Sequence, residues 1–70
     1  MTIYAIEIGY EGCGERGCCV TSTGFLFEAN SLEEAEARAE KAEAYFGDDG
    51  YIIRVEEADE WDLKTYEVRQ

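Results

Sequence analysis

The chain has no histidine and no proline, and only six of its 70 residues are basic. Without histidine, it lacks the commonest metal ligand and the side chain that most often acts in acid–base catalysis. No apolar run approaches the ~20 residues that a membrane-spanning helix needs. The N-terminus has no basic segment followed by an apolar run, so we expect no signal peptide and a cytoplasmic location.

Acidic residues are abundant instead, because 17 aspartates and glutamates give the chain a net charge of −11. Such a charge opposes compaction by self-repulsion, and a magnitude of about 2–8 is enough to keep a small domain soluble. A composition that is 46% hydrophobic and 13% aromatic argues against a disordered acidic tail. We therefore expect one folded, monomeric domain over residues 1–70. Its expected partner is a basic protein surface, rather than nucleic acid or a membrane.

Alternating side chains predict three strands, at residues 2–10, about 18–29 and 51–57. A glycine-rich connection is predicted at residues 11–17. Gly24, inside the second strand, indicates a bulge or a close backbone approach. The residues expected to share a face are Tyr4, Ile6, Ile8 and Tyr10 on the first strand, Phe25, Phe27 and Ala29 on the second, and Tyr51, Ile53 and Val55 on the third.

A helix is predicted to begin after Ser31, which is a suitable N-cap with Glu34 at the capping-box spacing. Gly47 is placed to end this helix. A short fourth strand is predicted at residues 63–68. The chain therefore belongs to the α+β class, as a two-layer domain with a mainly antiparallel sheet of three to four strands and one helix on one face. The buried stripe of the helix is predicted to comprise Leu32, Ala35, Ala39, Ala42 and Phe46.

Four glutamates of the predicted helix fall in one arc about 80° wide, namely Glu33, Glu36, Glu40 and Glu43. Like charges at spacings of three and four residues destabilise a helix by roughly 0.2–0.5 kcal/mol for each pair. The basic residues Arg38 and Lys41 lie on the far flank and do not relieve this repulsion. The helix therefore separates its charges by sign, which makes a binding surface as good an interpretation as a merely solvated acidic face.

A second acidic block follows the third strand, and Asp48 and Asp49 add two carboxylates in a turn. Trp61 lies within this block, either as an anchor for a partner or as a cap on the small core. One interpretation is that the carboxylates imitate the phosphates of DNA and bind Arg and Lys of a nucleic-acid-binding protein; the other is an ordinary solvated acidic face. The block comprises Glu56, Glu57, Asp59, Glu60, Trp61 and Asp62.

Metal binding and catalysis find little support in the sequence. Cys13, Cys18 and Cys19 lack a fourth zinc ligand, so a metal site there would need a second chain. A disulfide from Cys13 to either of the other two, or three reduced thiols, are the alternatives. The Asp48-Asp49-Gly50 turn and residues 59–62 offer oxygen ligands without the spacing of a calcium loop. We expect no metal, no cofactor and no enzymatic activity, since nucleophile-elbow and phosphate-loop motifs are also missing.

The order of elements over residues 3–57 resembles small phage-encoded inhibitors of bacterial nucleic-acid machinery. The segments that carry the resemblance are residues 28–35, at the start of the helix, and residues 51–56, in the third strand. The pattern is most similar to acidic anti-CRISPR proteins of type I systems. The resemblance implies a non-enzymatic DNA mimic in the bacterial cytoplasm, which blocks target DNA or PAM binding by a subunit of the Cas surveillance complex. The alternatives are a phage inhibitor of host RNA polymerase and a small acidic structural or regulatory binding module.

Overall fold

A computed structural model describes the backbone of residues 1–14 and 17–69, and the side chains of residues 1–12 and 21–69. The three strands form an antiparallel sheet in the order β2-β1-β3. Helix α1 packs on this sheet, which confirms the predicted α+β class. The elements are β1 (Thr2–Gly14), β2 (Gly17–Ala29), α1 (Leu32–Tyr45), a 3-10 turn (Gly47–Asp49), β3 (Gly50–Glu57) and α2 (Glu60–Thr65).

The β1–β2 hairpin is longer than predicted. Its pairing runs without a register shift from Thr2 opposite Ala29 to Gly14 opposite Gly17. Most of the predicted connection at residues 11–17 is therefore strand. Beyond Tyr10 the hairpin is a two-stranded ribbon, in which each strand pairs the backbone groups that face its antiparallel neighbour.

The core lies between α1 and the face of the sheet that carries Ile6, Ile8 and Phe25. Ala35 and Ala39 are fully buried on the helix, and their small side chains let its backbone approach the sheet closely. Leu32, although predicted to belong to the buried stripe, is 46% exposed. The partly buried side chains that complete the core are Phe27, Ala42, Phe46 and Val55.

Helix α1 begins after Ser31 and ends before Gly47, as predicted. The Ser31 hydroxyl oxygen accepts a hydrogen bond from the Glu34 backbone N–H at 3.3 Å, and the Glu34 carboxylate accepts one from the Asn30 N–H at 2.7 Å. The first bond satisfies an amide group that the first helical turn leaves unpaired. The second goes to the residue before the cap, so Glu34 bonds to Asn30 instead of making the capping-box bond to the Ser31 N–H. After the helix, Gly47 has a φ of +67°, a conformation that favours glycine.

A bulge in β3 overturns the predicted faces of that strand. Ile6 pairs with Val55 and Ile8 pairs with Ile52, so Ile53 is an extra residue between them. Because opposite residues share a face of the sheet, Ile52 and Val55 lie on the side of α1. The prediction that Tyr51, Ile53 and Val55 share a face is therefore wrong: the ring of Tyr51 lies over Gly9 on the opposite side.

The C-terminal segment forms a third layer on that opposite side. Residues 60–65 are helical, so the predicted fourth strand at residues 63–68 is wrong. The helix forms because Asp59 and Asp62 make a capping box at its start. Val68 alone forms a bridge, parallel to Leu26 at the outer edge of β2. The segment buries Ala5 and Leu26, which are 0% and 1% exposed.

Candidate partner-binding surface

The acidic stripe of α1, comprising Glu33, Glu36, Glu40 and Glu43, lies along one side of the helix. Glu33, Glu36 and Glu40 are exposed and Glu43 is half-buried. Among the residues whose side chains the structure describes, no cation forms an ion pair with any of the four. The stripe therefore presents at least three carboxylates to solvent with no cation among the described side chains to neutralise them.

A groove of about 320 Å³ runs between the acidic stripe and β3. Glu36 and Glu40 form one wall of this groove, and Ile52 and Val55 form the apolar other side. The bulge at Ile53 creates this arrangement, since it turns both Ile52 and Val55 toward the helix. Carboxylates thus stand beside exposed apolar surface at the edge strand of the sheet.

Asp48 and Asp49 extend the negative charge beyond the C-terminal end of α1. Both are exposed in the 3-10 turn, and the last turn of α1 contains no basic residue. The C-terminus of a helix already carries a partial negative charge, which cations would stabilise and carboxylates do not. The charge distribution at this end is therefore unfavourable for helix stability, as it is along the stripe.

The second acidic block does not form one surface, because β3 divides it. Glu57 pairs with Tyr4 and lies on the side of the sheet that α1 covers. Glu56 pairs with Ala5 on the opposite side, where its carboxylate accepts a hydrogen bond from Arg54. Of these two predicted partner-binding residues, Glu57 therefore lies on the same side of the sheet as the stripe, whereas Glu56 lies on the side of α2.

Asp62, which was predicted to contact the partner, is 1% exposed and is part of the interior. Its carboxylate accepts hydrogen bonds from Arg54 and from the Asp59 backbone N–H, the latter at 3.1 Å. Asp59 in turn accepts from the Asp62 N–H at 2.9 Å. Both aspartates therefore serve to start α2 and to hold it against the sheet.

Arg54 is the centre of this interior cluster. Its guanidinium donates to Glu7 at 3.0 Å, and Glu7 also accepts a hydrogen bond from the Tyr66 hydroxyl at 2.8 Å. The bonds from Arg54 lower the pKa of Glu7 and of Asp62, while the bond to Glu7 raises the pKa of Tyr66. The sequence interpretation missed this cluster. The signal for it was an arginine in an otherwise apolar and acidic strand.

Trp61 is 60% exposed, so its interpretation as a core residue is wrong. One edge of its ring meets Tyr66 at a centroid distance of 5.8 Å. Glu60 is exposed and forms an ion pair with Lys64 at 3.4 Å, one turn along α2. This part of the block is thus a partly neutralised surface with an exposed aromatic ring.

The side chains of Cys13, Cys18 and Cys19 lie outside the described residues. Within the described part of the chain, no group of three or more histidine, cysteine or acidic residues is arranged to hold a metal ion. No helix among the described residues is long and apolar enough to cross a membrane. No family model, curated protein or solved structure matches the chain.

Proposed function

We propose that the protein is a non-enzymatic inhibitor that mimics DNA and occupies the basic site of a nucleic-acid-binding protein. The observation that supports this most is the acidic stripe, whose carboxylates are segregated on one side of α1 and have no ion-pair partner among the described side chains. This arrangement costs helix stability, since the like-charged neighbours repel one another. A requirement for binding would explain why the cost is tolerated.

The spacing of the stripe is compatible with phosphate mimicry. Neighbouring glutamates are three or four residues apart, which corresponds to about 4.5–6 Å along a helix axis. Phosphates of one DNA strand are spaced about 3.4 Å along the duplex axis. A row of arginines and lysines that tracks a DNA backbone would therefore meet a charge row of comparable density. Glu57 and the groove beside β3 would widen the contact.

The target that we propose is a DNA-binding or PAM-binding subunit of a type I CRISPR surveillance complex. This part of the proposal rests on the resemblance of residues 3–57 to acidic anti-CRISPR proteins. A phage protein of this kind would act in the cytoplasm of the bacterial host. Host RNA polymerase is the alternative target for the same surface.

The experiment compares two charge-reversal variants of equal charge. Glu36→Lys with Glu40→Lys alters the centre of the stripe, whereas Glu11→Lys with Glu67→Lys alters two exposed glutamates elsewhere. The readout is target-DNA binding by a purified type I surveillance complex, with transcription by RNA polymerase as a parallel assay. We expect the stripe variant to inhibit at least about tenfold less strongly than the control variant.

Two outcomes would contradict separate parts of the proposal. Equal inhibition by both variants would exclude the stripe as the binding surface. Inhibition of RNA polymerase alone would keep the surface and change the target. Circular dichroism of each variant shows whether the fold is retained, so that loss of structure is not mistaken for loss of binding.

A second candidate function is a small regulatory module that binds through apolar contacts. It is favoured by α2, where Trp61 and Leu63 are 60% and 50% exposed. Exposed aromatic residues of this kind are enriched in interface hot spots. Binding through them would depend little on salt and would be lost in Trp61→Ala, whereas the stripe variant would bind normally.

A further inference from the structure

A second groove, of about 450 Å³, lies on the other side of α1, toward β2. It gathers three of the six basic residues of the chain, namely Arg38 and Lys41 of α1 and Arg69 near the C-terminus. Aromatic side chains line it as well, among them Tyr10, Tyr45 and Phe46. The groove therefore combines positive charge with ring surfaces in a protein that is otherwise strongly acidic.

The three cations of this groove form no ion pair with any described carboxylate. By contrast, Arg54 has three carboxylate partners and Lys64 has one. The guanidinium of Arg38 instead lies over the ring of Phe25, 4.8 Å from its centroid. Although the chain has 17 acidic residues, these three cations of the groove are therefore available to bind an anionic ligand.

The aromatic residues provide a flat surface next to this charge. Tyr10 and Phe46 stack in parallel, with centroids 4.4 Å apart and an angle of 7° between the rings. Tyr45 and Phe46 make an edge-to-face pair with centroids 5.4 Å apart, and Tyr45 is 86% exposed, so most of this residue is open to solvent. An exposed ring beside cations can stack against a planar ligand that carries an anionic group.

We propose that the groove binds a nucleoside monophosphate. The phosphate would contact Lys41 and Arg69, with Arg38 beside them, and the base would stack on Tyr45. A volume of about 450 Å³ is within the range of ~300–1,000 Å³ that is usual for small-molecule sites. The proposal is independent of the DNA-mimic function, which uses the opposite side of α1.

The acidic stripe does not prevent binding of a small anion at this groove. A helix with its side chains is about 10–12 Å wide, and the Debye length is about 8 Å at 0.15 M ionic strength. Screening therefore weakens repulsion between the stripe and a ligand on the other side of α1. A nucleic acid polymer would extend past the groove and meet more of the acidic surface, which favours a mononucleotide as the ligand.

The test is a titration of ¹⁵N-labelled protein with AMP, adenosine and inorganic phosphate, followed by NMR. We expect saturable shifts for AMP that centre on the amides of Arg38, Lys41 and Tyr45. Adenosine and phosphate should each bind at least about tenfold more weakly than AMP, because each provides only part of the contact. Phosphate binding as tight as that of AMP would overturn the stacking role of Tyr45, and absence of saturable shifts would overturn the site.

Variants test whether the named residues carry the binding. Lys41→Gln and Arg69→Gln should each weaken AMP binding by about tenfold, since a phosphate contact is lost. Tyr45→Ala should weaken AMP binding without changing phosphate binding. Lys64→Gln is the matched control, because it removes an exposed cation of α2 that lies outside the groove. An equal loss in Lys64→Gln would show non-specific attraction and overturn the proposal.

Discussion

Arg54 and Asp62 join the sheet to the C-terminal helix through an ion pair in which the carboxylate is almost completely buried. The Asp62 side chain is 1% exposed, and the Arg54 side chain is 24% exposed. The Asp62 carboxylate depends on the Arg54 guanidinium, because a buried carboxylate without a cation would have lost its hydration without compensation. The docking of α2, and with it the position of Trp61, therefore depends on a residue of β3.

The first prediction concerns this pair. Arg54→Met should lower the free energy of unfolding by about 3–5 kcal/mol, the usual cost of removing one partner of a buried pair. Lys64→Met is the control, because the exposed Lys64–Glu60 pair is worth at most about 1 kcal/mol. Urea unfolding followed by circular dichroism measures both. Similar losses in the two variants would contradict the structural role of Arg54.

The second prediction concerns pH. The pKa values of Glu7 and Asp62 lie below their ordinary values of 4.5 and 3.8, chiefly because both accept hydrogen bonds from Arg54. A lowered pKa in the folded state stabilises the fold above the ordinary value, and this stabilisation is lost as pH falls through the lowered pKa. We therefore expect the stability difference between wild type and Arg54→Met to shrink as pH falls from 7 to 3, because burial without Arg54 raises the pKa of Asp62 and the variant takes up its protons at higher pH than wild type. Urea midpoints from pH 7 to pH 3 measure it, and a difference that grows toward low pH would contradict the assignment.

The third prediction concerns Gly24. A Cβ atom at this position would lie 2.5 Å from the Tyr66 ring, so Tyr66 would have to move and would lose its bond to Glu7. Gly24→Ala should therefore cost about 1–3 kcal/mol of stability, as overpacking does, and should change the fluorescence of the neighbouring Trp61. Gly12→Ala is the control, since its Cβ would have no neighbour within 4 Å. Unchanged fluorescence and stability in Gly24→Ala would show that Tyr66 is not fixed there.

The fourth prediction concerns salt. If the acidic stripe binds a basic partner, the association rate should fall steeply between 0.05 M and 0.2 M salt, because screening removes long-range attraction. The variant with Glu36→Lys and Glu40→Lys should show a weaker dependence, and Trp61→Ala should keep the wild-type dependence. Stopped-flow or surface-plasmon measurements separate these cases. A rate independent of salt would instead favour the apolar contact through α2.

The sequence was informative where a local pattern decides the structure. Helix α1 follows from the cap at Ser31, the apolar spacing and the stop at Gly47, all of which act within a few residues. The exposure of the acidic stripe follows from the same 3.6-residue period. At Gly24 the pairing with β1 has no bulge, and it is the side-chain ring of Tyr66, rather than another backbone, that lies close to this glycine.

The predictions from sequence were wrong where contacts between residues that are distant in the chain decide the structure. The extra residue at Ile53 reverses the faces of half of β3, and strict alternation cannot reveal such a shift. Asp62 resembles its acidic neighbours in sequence, and only its position beside Arg54 makes it an interior residue. The helical start at Asp59 was readable in principle, because a second aspartate three residues later completes the capping pattern.

The bridge between Val68 and Leu26 has a consequence for edge-to-edge association of the sheet. The C-terminal segment occupies the outer edge of β2 at this point, which hinders the addition of a foreign strand there. The edge at β3 is flanked instead by the carboxylates of Glu36, Glu40 and Glu57. Two copies that approached through β3 would bring these like charges together. The carboxylates are the groups that we propose attract a basic partner. They would thus also oppose edge-to-edge association between two copies of the chain.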